Sequence, residues 1–518
     1  MTVVLEVAPA ASRRQSRRSL LLLFLAGAVS ALALPPLGLV PVLLLTLPFL
    51  LLRIGAAASF SAALWTGFVF GLGFYCAGLY WLTNAVLTRV DVFWWALPLA
   101  TPLCAVPLAI LLALACAASR LAPAGWPRVM LLAGLWTLSD LVREFIFTGF
   151  PWNPLGSAWE WSGPVSSIML QPAAWIGVPG LTLFTVLAAL MPSLGRRGTA
   201  AALLLLASWL AAGALRLDLV QPLATRNPVV VLVQGNIPET EKLDHAWALQ
   251  TFRTYLHLTA EGARRAAALP NARTRPMVFA WPESAFPGLL AEDAQARQVI
   301  INQAPSAAAG LIGSVRFGPD ERPRNSLFAL RPDGGIAAIY DKAHLVPFGE
   351  YQPAGLPVQI VPGGGFAAGP GIRSLHLPGL PPVGILICYE VIFPGQVVDA
   401  KDRPAWLLNV TNDAWYGDSA GPRQHLATAR MRAVEEGLPM ARAANTGISA
   451  VYDGFGHELG RLGWGIPGSL VVELPSPLPP TLFSRFGLII PLLLASAACL
   501  GSFVISLIVR KRHRSSQV

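Results

Sequence analysis

Val-Gly-Ile-Leu-Ile-Cys-Tyr-Glu (383–390) decides the fold of the polar part of this chain. Its apolar, β-branched run reads as a strand covered on both faces, as in a layered α/β domain. The run stops at Cys388, with Tyr389 and Glu390 directly after it. A lone thiol at the carboxyl end of a strand reads as a nucleophile. The other four cysteines, Cys76, Cys104, Cys116 and Cys499, lie in long apolar runs, where a thiol packs as a small hydrophobe. Five cysteines so placed build no disulfide framework.

Two other charged residues end apolar runs in the same way. Glu283 lies in Phe-Ala-Trp-Pro-Glu-Ser (279–284) and Lys342 in Ile-Tyr-Asp-Lys-Ala-His (339–344). A thiol attacks as thiolate and needs a base. Glu283, beside Trp281, is the candidate base, favoured if its apolar surroundings raise its pKa. Lys342 is the candidate partner for a tetrahedral oxyanion, with the Tyr389 N–H as second donor. The scheme requires all three strand ends to emerge on one edge.

From Asn227 onward, short β-branched runs alternate with helix-like stretches. Strands are expected at 229–235, 276–282, 310–316, 326–330, 336–340, 383–388, 404–410, 448–452 and 469–473. Helices are expected at 243–268, 290–303 and 423–437, and the alternation suggests layered α/β architecture. The Arg423–Glu436 stretch, with Arg430 and Arg432, reads as a helix that is solvated at the surface, with phosphate contact as the alternative. Gly- and Pro-rich segments 353–383 and 411–421, the latter with Trp415 and Tyr416, read as lids over a site. The seven histidines show no metal-ligand spacing, so no metal and no cofactor are expected.

The rest of the chain is membrane-like. Apolar types make up 54% of the 518 residues and charged types 13%, and mean hydropathy is +0.55. Residues 219–484 hold 21 Lys+Arg against 22 Asp+Glu, leaving 17 against 6 for the apolar remainder. The basic excess is therefore a topology signal and no argument for nucleic acid. Spans are expected at 57–83, 92–118, 127–147, 166–192, 198–216 and 486–509, and 19–53, broken at Pro35-Pro36, fits two short ones. The arginines fit cytoplasmic termini and a polar domain on the outer side. The expected division is a membrane domain at 1–217 with seven spans, a catalytic domain at 218–484, and an eighth span with a basic tail at 485–518. Asp140, Arg143 and Glu144 read as a cluster at the outer membrane interface or a lipid-access lining, and Trp152 suits either.

Ala-Trp-Pro-Glu-Ser (280–284), Tyr-Asp-Lys-Ala-His-Leu-Val-Pro-Phe-Gly-Glu-Tyr (340–351) and Ile-Cys-Tyr-Glu (387–390) resemble the nitrilase superfamily. Val-Gln-Gly-Asn-Ile-Pro (233–238), Phe-Pro-Trp (150–152) and Asn-Val-Thr-Asn-Asp-Ala-Trp-Tyr-Gly (409–417) narrow the resemblance to its integral membrane branch, the apolipoprotein N-acyltransferases. The resemblance implies an αββα sandwich on a multi-span helical domain in a bacterial inner membrane. It implies catalytic Glu283, Lys342 and Cys388, with Glu350, Tyr389 and Glu390 in support. The expected donor is a phospholipid, typically phosphatidylethanolamine, and the acceptor a diacylated apolipoprotein. Where the family has Trp before an acidic residue, this chain has Leu243 before Asp244, and Trp247 is the candidate replacement.

Three other readings compete: a membrane-tethered amidase, a transporter with a binding domain, and a structural domain with a core cysteine. The first leaves seven spans without a purpose. The second needs intramembrane charges along several spans, and the sequence shows one cluster.

Overall fold

The computed structural model describes residues 17–515 apart from 88–89, 226, 240–244, 271–273, 354–360 and 362–364. Twelve strands are described: β1 Val229–Gln234, β2 Met277–Ala280, β3 Ala307–Phe317, β4 Pro323–Leu330, β5 Ile336–Asp341, β6 Ser374–Leu375, β7 Val383–Ile387, β8 Trp406–Thr411, β9 Met440–Ala444, β10 Ser449–Tyr452, β11 Glu458–Leu462 and β12 Gly468–Glu473. They form two six-stranded sheets, ordered β12-β1-β2-β3-β4-β5 and β11-β10-β9-β8-β7-β6. Strands β1, β2 and β3 run parallel, as do β7, β8 and β9.

Alternation along each strand builds the layers. Val230, Leu232, Val278, Ile385, Ile387 and Leu408 meet between the sheets. Val229, Val231 and Val233 point the other way, onto Tyr255 and Leu258 of the Ala248–Ala267 helix. On the far side, Leu407, Met440 and Ala450 share a core with Leu426, Ala429 and Ala433 of the Ala420–Glu436 helix. The result is an αββα sandwich. Each fully buried Val or Leu contributes about 1.5–3 kcal/mol by leaving water.

The same far-side core is continuous with the apolar helices, taking in Phe70, Phe74, Trp81, Trp136 and Trp152. Among the described residues, five helices are long and apolar enough to cross a membrane: Phe60–Gly78, Trp94–Leu121, Ala173–Leu194, Arg196–Leu219 and Ile489–Ile508. Arg17–Ser30, Val40–Gly55 and Trp126–Val142 are apolar but shorter.

Two sequence expectations are corrected. The Ala420–Glu436 helix is not a solvated surface helix, because it is wedged between the second sheet and the apolar helices. Arg432 is 1% exposed and pairs with Glu435 at 2.8 Å, and buried Arg430 pairs with Glu160 at 3.1 Å. The Asp140/Arg143/Glu144 cluster is likewise buried rather than snorkelling. Arg143 pairs with Asp140 at 3.2 Å and donates to the Trp152 carbonyl at 2.9 Å. Buried charge persists only when paired in this way. Strands β6, β9 and β11 were not expected, since Met-Ala-Arg-Ala-Ala (440–444) has no β-branched residue.

Candidate active site

Each of the three candidate residues directly follows a strand or its short extension. Glu283 comes three residues after β2, Lys342 immediately after β5, and Cys388 immediately after β7. All three leave the carboxyl ends of their strands, so the two sheets deliver them to one edge. Gly313 of β3 permits the approach of the β2 extension, because a Cβ there would sit 2.0 Å from the Pro282 carbonyl.

Lys342 is 1% exposed and lies between two carboxylates. Its Nζ is 3.2 Å from Glu283 Oε1 and 2.8 Å from Glu350 Oε2. Asn325 of β4 ties the same carboxylates together, donating to Glu283 at 2.7 Å and to Glu350 at 2.9 Å. The Asn412 N–H donates to Glu283 Oε2 at 3.0 Å and the Val346 N–H to Glu350 Oε2 at 2.8 Å. Burial opposes the ammonium charge, but Glu283 and Glu350 outweigh it and hold the Lys342 pKa well above the usual lysine value. Lys342 is a fixed cation.

Cys388 has φ +50° and opens a short 3₁₀ helix, Cys388–Ile392. A non-glycine residue there is strained by about 1–2 kcal/mol. Ser284, beside Glu283, and Phe348, near Glu350, also have positive φ. Strain held this close to three candidate residues is the pattern expected of a functional site. The thiol feels both Glu283 and Lys342. Burial pushes its pKa up to about 12, Glu283 adds to the rise, and Lys342 opposes it. The resting group is a thiol, so attack needs a base at hand.

Tyr389 and Glu390 support the turn in different ways. The Tyr389 hydroxyl donates to the Gly149 carbonyl at 2.6 Å, joining the Cys388 turn to the apolar helices. Gly149 has φ +91°, and a Cβ there would sit 2.3 Å from the Glu144 carbonyl. Glu390 accepts from the Ile387 N–H on one oxygen at 2.7 Å, and from Ala343 N–H and Tyr340 Oη on the other at 2.7 and 2.9 Å. Burial raises its carboxyl to about 7 against the pull of these backbone donors.

The remaining candidates divide. Trp152 is buried with Trp81, ring centroids 4.8 Å apart, and Tyr416 packs on Trp81 at 4.7 Å. Trp415 is 36% exposed beside them. Arg143 is buried and faces Asp140. Trp247 is 44% exposed at the start of the Ala248–Ala267 helix, whereas Leu243 and Asp244 lie outside the described residues, as do 354–360 and 362–364 of the first lid segment. The sequence did not single out Asn325, Asp413, His425 or Arg442. Only Asp413 sits in a motif that drew attention. No group of three or more His, Cys, Asp or Glu side chains that would hold a metal ion occurs among the described residues.

Two family models match, and together they cover most of the chain. Residues 26–191 match the apolipoprotein N-acyltransferase N-terminal domain, and residues 233–478 match carbon-nitrogen hydrolase. The apolipoprotein N-acyltransferase of Rhodopseudomonas palustris is 38% identical, with 95% of each chain covered. The chain belongs to the apolipoprotein N-acyltransferase family. The Bradyrhizobium diazoefficiens member is also 38% identical, over 94% of each chain. Among solved structures, an amidase of the nitrilase superfamily from Nesterenkonia is 23% identical. It has a TM-score of 0.36 and covers 50% of this chain and 93% of its own. Like other apolipoprotein N-acyltransferases, this chain is an enzyme of the membrane, with a nitrilase-like domain joined to apolar helices.

Proposed function

We propose that this chain carries a phospholipid acyl chain on Cys388 and delivers it to the α-amine of the diacylglyceryl-cysteine at an apolipoprotein N-terminus. One observation supports this reading above the others. A base, a fixed cation and a thiol converge at one sheet edge in a domain whose far side packs directly on apolar helices. Both proposed substrates are lipid-anchored, so a site held at the membrane suits them.

In the first half-reaction Glu283 takes the Cys388 proton as the thiolate attacks the ester carbonyl of the donor. Lys342 Nζ and the Tyr389 N–H hold the oxyanion. The intermediate collapses, the C–O bond breaks, and Glu283 returns the proton to the departing lysophospholipid oxygen. A thioester remains. In the second half-reaction the acceptor amine attacks the thioester and gives a proton to Glu283. The C–S bond then breaks, and the amide product leaves a regenerated thiol. Glu350 holds Lys342, and Glu390 holds the cysteine turn. Splitting the transfer gives ping-pong kinetics.

Phosphatidylethanolamine is the donor we favour, and we place residues 218–484 outside the cytoplasm, with 1–217 and 485–518 as the membrane parts. The arginine distribution supports that orientation. The exposed Trp415 serves as a lid that shields the thioester from water. The test supplies labelled phosphatidylethanolamine and a diacylated lipopeptide and looks for label in an amide on the lipopeptide. Label in free fatty acid alone points to a hydrolase and contradicts the proposal.

A further inference from the structure

Behind the nucleophile turn lies a buried group that the acyl-transfer scheme does not use. His425 Nε2 is 3.1 Å from the carbonyl oxygen of Cys388, and Nδ1 is 2.9 Å from Asp413 Oδ1. Asp413 Oδ2 is 2.7 Å from Arg442 Nη2, and Arg442 Nη1 bonds Asn409 Oδ1. Arg442 Nη2 also lies 3.2 Å from His425 Nδ1. His425, Asp413, Arg442 and Asn409 are all fully buried. A carbonyl oxygen only accepts, so Nε2 carries a proton and donates a hydrogen bond to the Cys388 oxygen; Nδ1 donates to Asp413 when the ring holds a second proton and accepts from Arg442 when it does not. This geometry also rules His425 out as the base for the thiol, because its donor nitrogen is engaged by the backbone.

The consequence lies in the peptide plane. The Cys388 carbonyl and the Tyr389 N–H belong to one planar trans peptide, in which C=O and N–H point in opposite directions. Holding the oxygen therefore sets the direction of the N–H. Tyr389 is the second residue of the Cys388–Ile392 helix, where amide donors have no intrahelical acceptor. A hydrogen bond to the carbonyl also polarises the peptide and strengthens its N–H as a donor. Positive φ at Cys388 makes the plane costly to hold unaided. Burying two or three ionisable groups merely to pack a turn is expensive.

We propose that His425, held by Asp413 and Arg442, is a positioning residue for the oxyanion site: it grips the Cys388 carbonyl so that the Tyr389 N–H faces the developing oxyanion. This role rests on the thioester reading above.

The experiment uses the full chain in detergent with labelled phosphatidylethanolamine and reads two reactions of Cys388. Single-turnover thioester formation passes through an oxyanion, whereas alkylation by iodoacetamide does not. His425→Leu is expected to slow thioester formation about 10²–10³-fold, the loss typical of one oxyanion donor. Alkylation should stay within about three-fold, because thiolate chemistry itself is untouched. His425→Gln keeps a donor of matching reach and should recover most of the rate, while His425→Asn, one bond shorter, should fall with His425→Leu. Equal losses in both reactions would mean a merely structural role and overturn the proposal. So would parent-level acylation in His425→Leu, or His425→Asn matching His425→Gln. If the parent itself forms no thioester, the acyl-transfer reading fails first, and this role fails with it.

Discussion

Glu390 Oε1 accepts the Ala343 N–H at 2.7 Å, tying the turn that carries Cys388 to the turn that carries Lys342. Its other oxygen accepts the Ile387 N–H, one residue before the thiol. Glu390→Gln replaces one acceptor with a donor that must face a backbone N–H or the Tyr340 hydroxyl. Misplacing the thiol by about 1 Å costs about 10²-fold in rate. We expect thioester formation in Glu390→Gln to fall by that order while the protein remains folded; a parent-level rate contradicts the clamp.

The same carboxyl predicts a pH dependence of stability. Burial raises it from 4.5 to about 7 in the folded protein. A raised folded pKa contributes stability that is fully present below about pH 4.5 and is lost as pH rises through about 7. The difference in unfolding midpoint between parent and Glu390→Gln should therefore move against the parent as pH rises across that window. Movement in the parent's favour contradicts the assignment.

Glu283 as base predicts a change in the pH profile of the thiol. The Cys388 pKa of about 12 leaves almost no thiolate at neutral pH. In Glu283→Gln, alkylation of Cys388 should track hydroxide, rising about ten-fold per unit between about pH 6 and pH 9. The parent, with its base in place, should rise less steeply. Superimposable profiles contradict the base assignment.

Gln424 joins the sandwich to the apolar helices. Trp81 Nε1, Trp152 Nε1 and Asn153 Nδ2 lie 3.0, 2.9 and 3.2 Å from its Oε1. Gln424→Leu takes this acceptor from the two buried indole N–H groups, at about 1–3 kcal/mol each, while Asn153 Nδ2 keeps the Gly78 carbonyl at 2.9 Å. We expect a lower unfolding midpoint and faster proteolysis near the 420–436 helix; an unchanged midpoint contradicts the role.

Trp415→Ala tests the lid. The neighbouring Tyr416 is anchored, its carbonyl accepting from Asn84 Nδ2 at 2.7 Å. Trp415 itself stands out to solvent. The variant should raise the KM for phospholipid several-fold and leave the unfolding midpoint unchanged; parent-level turnover in detergent contradicts a lipid contact.

Much of this candidate site is legible in the sequence, because its candidate residues interrupt apolar strands. Glu283, Lys342 and Cys388 each end such a run, and local pattern singles them out as candidates. The supporting groups are hidden for a physical reason. Arg430 and Arg442 look like surface charges because their partners are distant in sequence. Glu160 is 270 residues from Arg430, for example. Strand β9 escapes notice because alanines and an arginine carry no strand signature, yet it sits inside the second sheet. Asn325 is one polar residue in a short strand, and nothing local shows that it bridges two carboxylates.

The most direct measurement supplies labelled phospholipid to the parent and to Cys388→Ala in detergent and follows label on the protein. The parent should acquire a hydroxylamine-sensitive thioester adduct, discharged by a diacylated lipopeptide, and Cys388→Ala should acquire none. An unlabelled parent contradicts the acyl-enzyme, and an adduct that persists in Cys388→Ala contradicts the nucleophile.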